Sequence, residues 1–196
     1  MVYLYAMNLA KLPGVEEIGF SDLVNTLDTT RQQKIEKLKQ PDKKKQTLGA
    51  GLLLKFVLED RGFRVEKVQI GPHGKPEIEG MCFNLSHSGD VAICVVSDLP
   101  VGCDIEKIRQ MPECFGEDFF RVWTMKESYG KMTGEGLNIP KNVLEVRLGN
   151  GPKIFRNGIE QECVFKEYDI PGYQVYVCAQ EAVFSDLAWV DCIYKS

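Results

Sequence analysis

The sequence predicts an α+β fold in two similar halves, and three observations carry the prediction. The first half runs helix, strand, Gly-rich turn, strand and apolar strand. The second half repeats the order in outline, with a helix from Phe119, a strand near Val143, a turn at Gly149-Asn150-Gly151 and two more strands. No long low-complexity linker separates the halves, so they are expected to pack together as lobes over 1–99 and 100–196. A length of 196 residues suits one domain or two small lobes sharing a core.

Each element has a local reason. Val2 to Met7 reads as an opening strand, and Phe20 to Leu27 has helical spacing. Thr29 and Thr30 each stand three residues before a Gln, a capping-box start for a helix running to about Lys39, where Pro41-Asp42 interrupts. From Thr47 to Asp60, Leu48, Leu52 and Phe56 share a helical face beside Leu53 and Val57, and Gly62 supplies the stop. Gly49 and Gly51 are expected to let another backbone come close. Val65 to Ile70 reads as a strand, and Gly71 to Pro76 as a rigid turn. Val91 to Val96 is an unbroken apolar strand buried on both faces, and Leu99-Pro100 separates it from a short strand over Val101 to Glu106. Phe119 to Met132 is predicted helical. Val143 to Leu148, Glu162 to Tyr168 and Gln174 to Cys178 are predicted strands.

Composition excludes several classes. Hydrophobic residues make up 44% and charged residues 27%, an ordinary soluble profile. No apolar run approaches the roughly 20 residues of a membrane span, and no basic stretch precedes the apolar N-terminus as in a signal peptide, so a cytoplasmic protein is expected. The seven cysteines are odd in number and none form a C-x-x-C pair, which suits buried thiols and argues against zinc. A net charge of −4 disfavours general nucleic-acid binding. Between Arg31 and Lys45, however, seven basic residues face two acidic ones. Most of these lysines read as a solvated helix face, and a local phosphate-binding surface is the functional alternative.

Three clusters carry chemistry. In Val101-Gly102-Cys103-Asp104-Ile105-Glu106, residues two apart point to one side of a strand, so Asp104 and Glu106 present two carboxylates while Ile105 enters the core. In the helix from Phe119, Trp123, Glu127 and Lys131 are four apart and share one stripe. In Phe83-Asn84-Leu85-Ser86-His87-Ser88-Gly89, an imidazole between hydroxyls borders a buried strand, a plausible phosphate nest. Each cluster taken alone also reads blandly, as an acidic edge strand, a surface Glu–Lys pair or a structural histidine. Together they suit one chemistry. Three carboxylates can hold Mg²⁺ (or Mn²⁺), which favours oxygen ligands and substrate phosphates and stabilises charge as it develops. Gly74-Lys75 is no P-loop, because Pro76 replaces the required Ser or Thr and the upstream spacing is wrong.

These residues, in this order, resemble the surfactin-synthetase-activating type of 4'-phosphopantetheinyl transferase. The likeness rests on Gly74-Lys75-Pro76, Phe83 to Ser88, Val101 to Glu106, Trp123 to Tyr129 with Lys131, and Gly134-Glu135-Gly136-Leu137. It implies two α+β lobes related by pseudo-twofold symmetry, each a small, mainly antiparallel sheet packed on helices, with coenzyme A bound between them. It implies an enzyme that moves the phosphopantetheine arm of coenzyme A to a serine of an acyl, peptidyl or polyketide carrier protein, releasing 3',5'-ADP. In that resemblance Asp104, Glu106 and Glu127 match the metal-binding acids, and Glu127 is also the candidate base. Lys131 matches the lysine near the pyrophosphate. Ser86 and His87 match phosphate contacts, and Lys75 the segment beside adenine. Arg31 and Lys34 match the basic residues for the 3'-phosphate, and Thr47 a small hydroxyl contact. Fused lobes make a monomer, a pseudo-dimer, sufficient. One departure stands out: Glu106 and Glu127 are only 21 positions apart, so the stretch Lys107 to Asp118 is short where many relatives carry a longer insertion. Its Ile108, Met111 and Phe115 are read as a reduced carrier-docking surface or a simple connector. Two other readings stay open, a coenzyme A-binding protein without carrier docking and a metal-dependent phosphohydrolase.

Overall fold

The computed structural model describes residues 1–64, 68–71, 76–112, 116, 118–149 and 151–191. Its organising element is the apolar run predicted near Val91, a strand in which every residue is buried. It becomes β5, and the elements in chain order are as follows. Strand β1 is Val2–Asn8, followed by helices α1 (Ile18–Asn25), α2 (Thr29–Lys37) and α3 (Pro41–Asp60). Then come β2 (Gln69–Ile70), β3 (Pro76–Glu77), β4 (Cys82–Ser88), β5 (Val91–Ser97), β6 (Val101–Lys107) and helix α4 (Phe119–Thr133). Strands β7 (Leu144–Arg147), β8 (Lys153–Arg156), β9 (Ile159–Glu160), β10 (Val164–Glu167), β11 (Tyr173–Ala179) and β12 (Phe184–Val190) complete it.

The mixed α+β architecture follows from where alternate side chains go. Sheet order β12-β1-β5-β4 puts β5 between β1 and β4, both antiparallel to it. Ala92, Cys94 and Val96 turn toward α1–α3 and pack with Leu48, Leu53 and Val57. Val91, Ile93 and Val95 turn the other way and meet Val101, Cys103 and Ile105 of β6 and Val175 and Val177 of β11, in the sheet β10-β11-β6. Helix α4 covers the far side of that second sheet through Met125, Tyr129 and Met132 against Tyr176 and Cys178. The layers therefore run helices, sheet, sheet, helix, and β5 is apolar throughout because both its faces are interior. The C-terminal strand β12 pairs in parallel with β1, so it joins the sheet of the first half.

Several predicted details differ. Asp28, rather than a threonine, caps α2, its side chain accepting from Arg31 N. Pro41 does not simply interrupt. It takes the first turn of α3, where its missing N–H is no loss, so that helix starts six residues before the predicted Thr47. Phe56 is 42% exposed, and Leu54 and Leu58 fill the buried face instead. The neighbours that crowd Gly49 and Gly51 are side chains, of Leu9 and of Arg31 with Leu27, rather than backbone. The strand expected at Val143 begins after a 3-10 turn, Lys141–Val143. Strands β8, β9 and β12 had no sequence prediction. Much of the expected strand and turn over Val65 to Pro76 lies outside the described residues. Cys94, Cys163 and Cys178 are free thiols. Among the described residues, no helix is long and apolar enough to cross a membrane.

Candidate active site at the seam of the two sheets

Strands β4 and β6 lie side by side but are joined by side chains. On β4, Asn84, Ser86 and Ser88 are two apart and face β6 together. Cys103 N donates to Asn84 Oδ1 (3.1 Å), and Ser86 Oγ donates to Asp104 Oδ1 (3.0 Å). Ser88 Oγ donates to Glu106 Oε2 (3.1 Å) and accepts from Lys107 N (3.0 Å). The period-two argument therefore holds on both strands: Asp104 and Glu106 share a side, and Ile105 is in the core.

Helix α4 lies directly over this seam because Gly102 has no side chain. A Cβ there would collide with Ser128 O and Met132 N and stand 2.9 Å from the Lys131 carbonyl carbon. That approach brings Lys131 Nζ to Asp104 Oδ1 (2.6 Å), Ser86 Oγ (2.9 Å) and Cys103 O (3.1 Å). Asp104 is only 5% exposed, and burial pushes its carboxyl pKa up against the opposing pull of Lys131 and Ser86. On the other side of β4, His87 follows Phe83 and Leu85 onto the helix-facing surface. Burial and then the ammonium groups of Lys43, Lys131 and Lys34 push its pKa down from 6.5 to about 4. Lys43 is fixed there through α3: Lys43 Nζ donates to Gln46 Oε1 (3.2 Å), and Gln46 Nε2 donates to Gly89 O (3.1 Å) in the turn after β4. Thr47 is buried one helical turn beyond Lys43.

A partly buried imidazole under the charge of Lys43, Lys131 and Lys34, with its Nδ1 lacking a hydrogen-bond partner among the described residues, is suited to a polyanion. It also carries a pH signature. Below about pH 6.5 the unfolded chain protonates this histidine and the folded chain does not, so His87 costs stability as the pH falls from 6.5 to about 4 and has no effect above that window. We expect the His87 ring resonance in an NMR titration to keep its neutral position through pH 5, and His87→Gln to flatten the stability loss between pH 6.5 and 4. A histidine that titrates near 6.5 in the folded chain would contradict this placement.

The remaining predicted residues sit as follows. Arg31 is desolvated on α2, which lowers its pKa, and its Nε lies 3.7 Å from Asp28 Oδ2; it packs against Gly51. Lys75 lies outside the described residues. Glu127 shares the α4 stripe with Trp123 and Lys131, but its Oε1 lies 2.6 Å from Lys141 Nζ. The three acids consequently do not converge as the sequence suggested. Lys131 stands against Asp104, Lys141 holds Glu127, and no group of three His, Cys, Asp or Glu residues among those described is close enough to hold a metal. The donor set nevertheless fits a hard divalent cation. All its ligand atoms are oxygens, and Asp104 Oδ2 is buried with no hydrogen-bond partner among the described residues.

Sequence reasoning left Lys43 out of the site because the helix start was set at Thr47, which hid the four-residue spacing of the two. Lys141 had no signal at all: it is one lysine after Pro140, brought to Glu127 only by tertiary packing.

The family model described as the 4'-phosphopantetheinyl transferase superfamily matches residues 108–180. The chain is 30% identical over 169 residues to the 4'-phosphopantetheinyl transferase psf-1 of Bacillus pumilus, covering 71% of this chain and 72% of that protein. It is 28% identical over 158 residues to the 4'-phosphopantetheinyl transferase Sfp of Bacillus subtilis strain 168, covering 67% and 69%. It is 25% identical over 201 residues to the 4'-phosphopantetheinyl transferase gsp of Aneurinibacillus migulanus, covering 88% and 85%. The chain belongs to the 4'-phosphopantetheinyl transferase superfamily.

Proposed function

We propose that this chain transfers the 4'-phosphopantetheine arm of coenzyme A to the serine hydroxyl of an acyl, peptidyl or polyketide carrier protein, with 3',5'-ADP leaving. The observation that carries the reading is the continuity of the Lys34, Lys43, His87 and Lys131 cluster with the Ser86–Asp104 seam. Lys131 belongs to both: its charge acts on His87, and its Nζ donates to Ser86 Oγ and to the buried Asp104 Oδ1.

In this reading Lys34, Lys43 and His87 hold the phosphates of coenzyme A, with Arg31, Thr47 and Lys75 toward the 3'-phosphate and adenine. Asp104, Glu106 and Glu127 are the residues that would hold Mg²⁺ (or Mn²⁺), which when bound neutralises the pyrophosphate. Glu127 accepts the proton of the carrier serine as its oxygen attacks the β-phosphorus. Lys131 stabilises the charge that gathers on the departing 3',5'-ADP, and Ser86 orients Lys131 and Asp104 toward each other. Catalysis is then mostly positioning and electrostatic stabilisation. The lobes divide at 1–99 and 100–196, related by pseudo-twofold symmetry, with β12 crossing back to the first sheet. The fused pair acts as a cytoplasmic monomer. Ile108, half exposed on the short stretch after β6, and Met111 contribute to carrier docking; Phe115 of that stretch lies outside the described residues.

Incubation with Mg²⁺, coenzyme A and a panel of apo carrier proteins should give a phosphopantetheine adduct visible by mass spectrometry. Tight coenzyme A binding without an adduct on any carrier would favour a binding protein instead. Lys43→Gln should raise the KM for coenzyme A about tenfold with kcat little changed, the size of one charge-assisted hydrogen bond. An unaltered KM would remove Lys43 from the phosphate pocket.

A further inference from the structure

Lys141 has no part in the transfer reading above, yet it stands directly against Glu127. It opens the turn Lys141–Val143, and its backbone carbonyl accepts from Lys126 Nζ (3.0 Å). Its Nζ and Glu127 Oε1 are both shut off from solvent, 2.6 Å apart, in an ion pair whose angles fall outside hydrogen-bond geometry. Neither atom has a hydrogen-bond partner among the described residues. The Glu127 side chain is 12% exposed, and an opposite charge against it offsets the cost of burying a carboxylate. Asp104 also has a lysine at 2.6 Å, Lys131, there with a hydrogen bond, whereas the more open Glu106 makes do with the Ser88 hydroxyl. Beside Lys141 lies a groove of about 380 Å³ lined by Phe119, Val122, Trp123 and Lys126, with room for a lysine side chain to swing aside.

We propose that Lys141 is a resident counter-cation for Glu127. It neutralises the carboxylate while no divalent cation is present and withdraws toward the groove when one binds. The inference rests on the assignment of Asp104, Glu106 and Glu127 as a cation site. Its physical basis is that an ammonium and a dication repel each other when both stand against one half-buried carboxylate. Each therefore weakens the other's hold, and removing Lys141 strengthens the hold on the cation. Lys141 is a positioning residue by this account: it sets where Glu127 points before loading.

The test uses Mn²⁺ as the probe, with the full chain titrated by electron paramagnetic resonance. Lys141→Met should bind Mn²⁺ about fivefold more tightly than the wild type, the order of one ion pair. Lys141→Arg should return the affinity to near the wild-type value. Mere structural damage would move the affinity the other way. A second measurement needs no variant. Labelling of the wild-type Lys141 amine by an acylating ester, read by peptide mass spectrometry, should rise several-fold on adding Mn²⁺. Equal or weaker Mn²⁺ binding by Lys141→Met, or labelling indifferent to Mn²⁺, overturns the proposal. Failure of the underlying assignment reads differently: Asp104→Asn would leave Mn²⁺ affinity unchanged, and the counter-cation role falls with it.

Discussion

Replacing Glu127 by glutamine should lower the rate of phosphopantetheine transfer by about 10² to 10⁴-fold, the usual contribution of a positioned general base. The substitution keeps the length of the side chain and an oxygen that can still face Lys141, 2.6 Å away in the wild type, so the fold should survive. Circular dichroism and the unfolding temperature would check this in parallel with the rate. At saturating Mg²⁺ and coenzyme A the loss should persist in kcat, since the carboxylate is needed as the serine proton leaves. A variant that retains full activity would take Glu127 out of the mechanism. A variant that loses activity only through a raised KM for coenzyme A would make it a binding residue.

Gly102→Ala should be the most damaging glycine-to-alanine change among the described residues. The new Cβ would strike backbone atoms of α4, at Ser128 and Met132, which cannot rotate out of the way as a side chain could. Helix α4 must lift off β6, disturbing the packing of Met125, Tyr129 and Met132 on the second sheet. Overpacking of this kind costs about 3 kcal/mol, or about 10 °C in unfolding temperature for a chain of this size. Activity should fall further than stability, because the same shift draws Lys131 away from Asp104, and misplacement by about 1 Å at a reacting centre costs about 100-fold. Gly149→Ala is the control: nothing lies within 4 Å of a Cβ there, and stability should not change. Equal stability of the two variants would contradict the role given to Gly102.

Much of this was legible in the sequence, for identifiable reasons. Alternation placed Asp104 and Glu106 on one side of a strand, and Ile105 entered the core as expected. The apolar run of β5 announced a strand with two interior faces. The four-residue spacing of Trp123, Glu127 and Lys131 named a helical stripe, and α4 spans all three. What stayed hidden depends on contacts between distant segments. Side-chain pairs such as Ser86 with Asp104, 18 residues apart, leave no periodic trace. Nor could pattern show that each buried carboxylate would be met by its own lysine, since Lys141 reaches Glu127 only after the chain has turned at Gly134 and Pro140. The parallel pairing of β12 with β1, between the two ends of the chain, is the extreme case.

The central claim is that the basic residues acting on His87 and the acidic seam work together to move a group rather than to hydrolyse one. A single-turnover experiment with Mg²⁺, coenzyme A and an apo carrier protein tests it most directly, by following 3',5'-ADP and the carrier adduct in the same quenched samples. The two products should appear together and in equal amounts, and 3',5'-ADP should not form when the carrier is omitted. Release of 3',5'-ADP without a matching adduct, or at the same rate in the absence of carrier, would mean that water is the acceptor and would contradict the account.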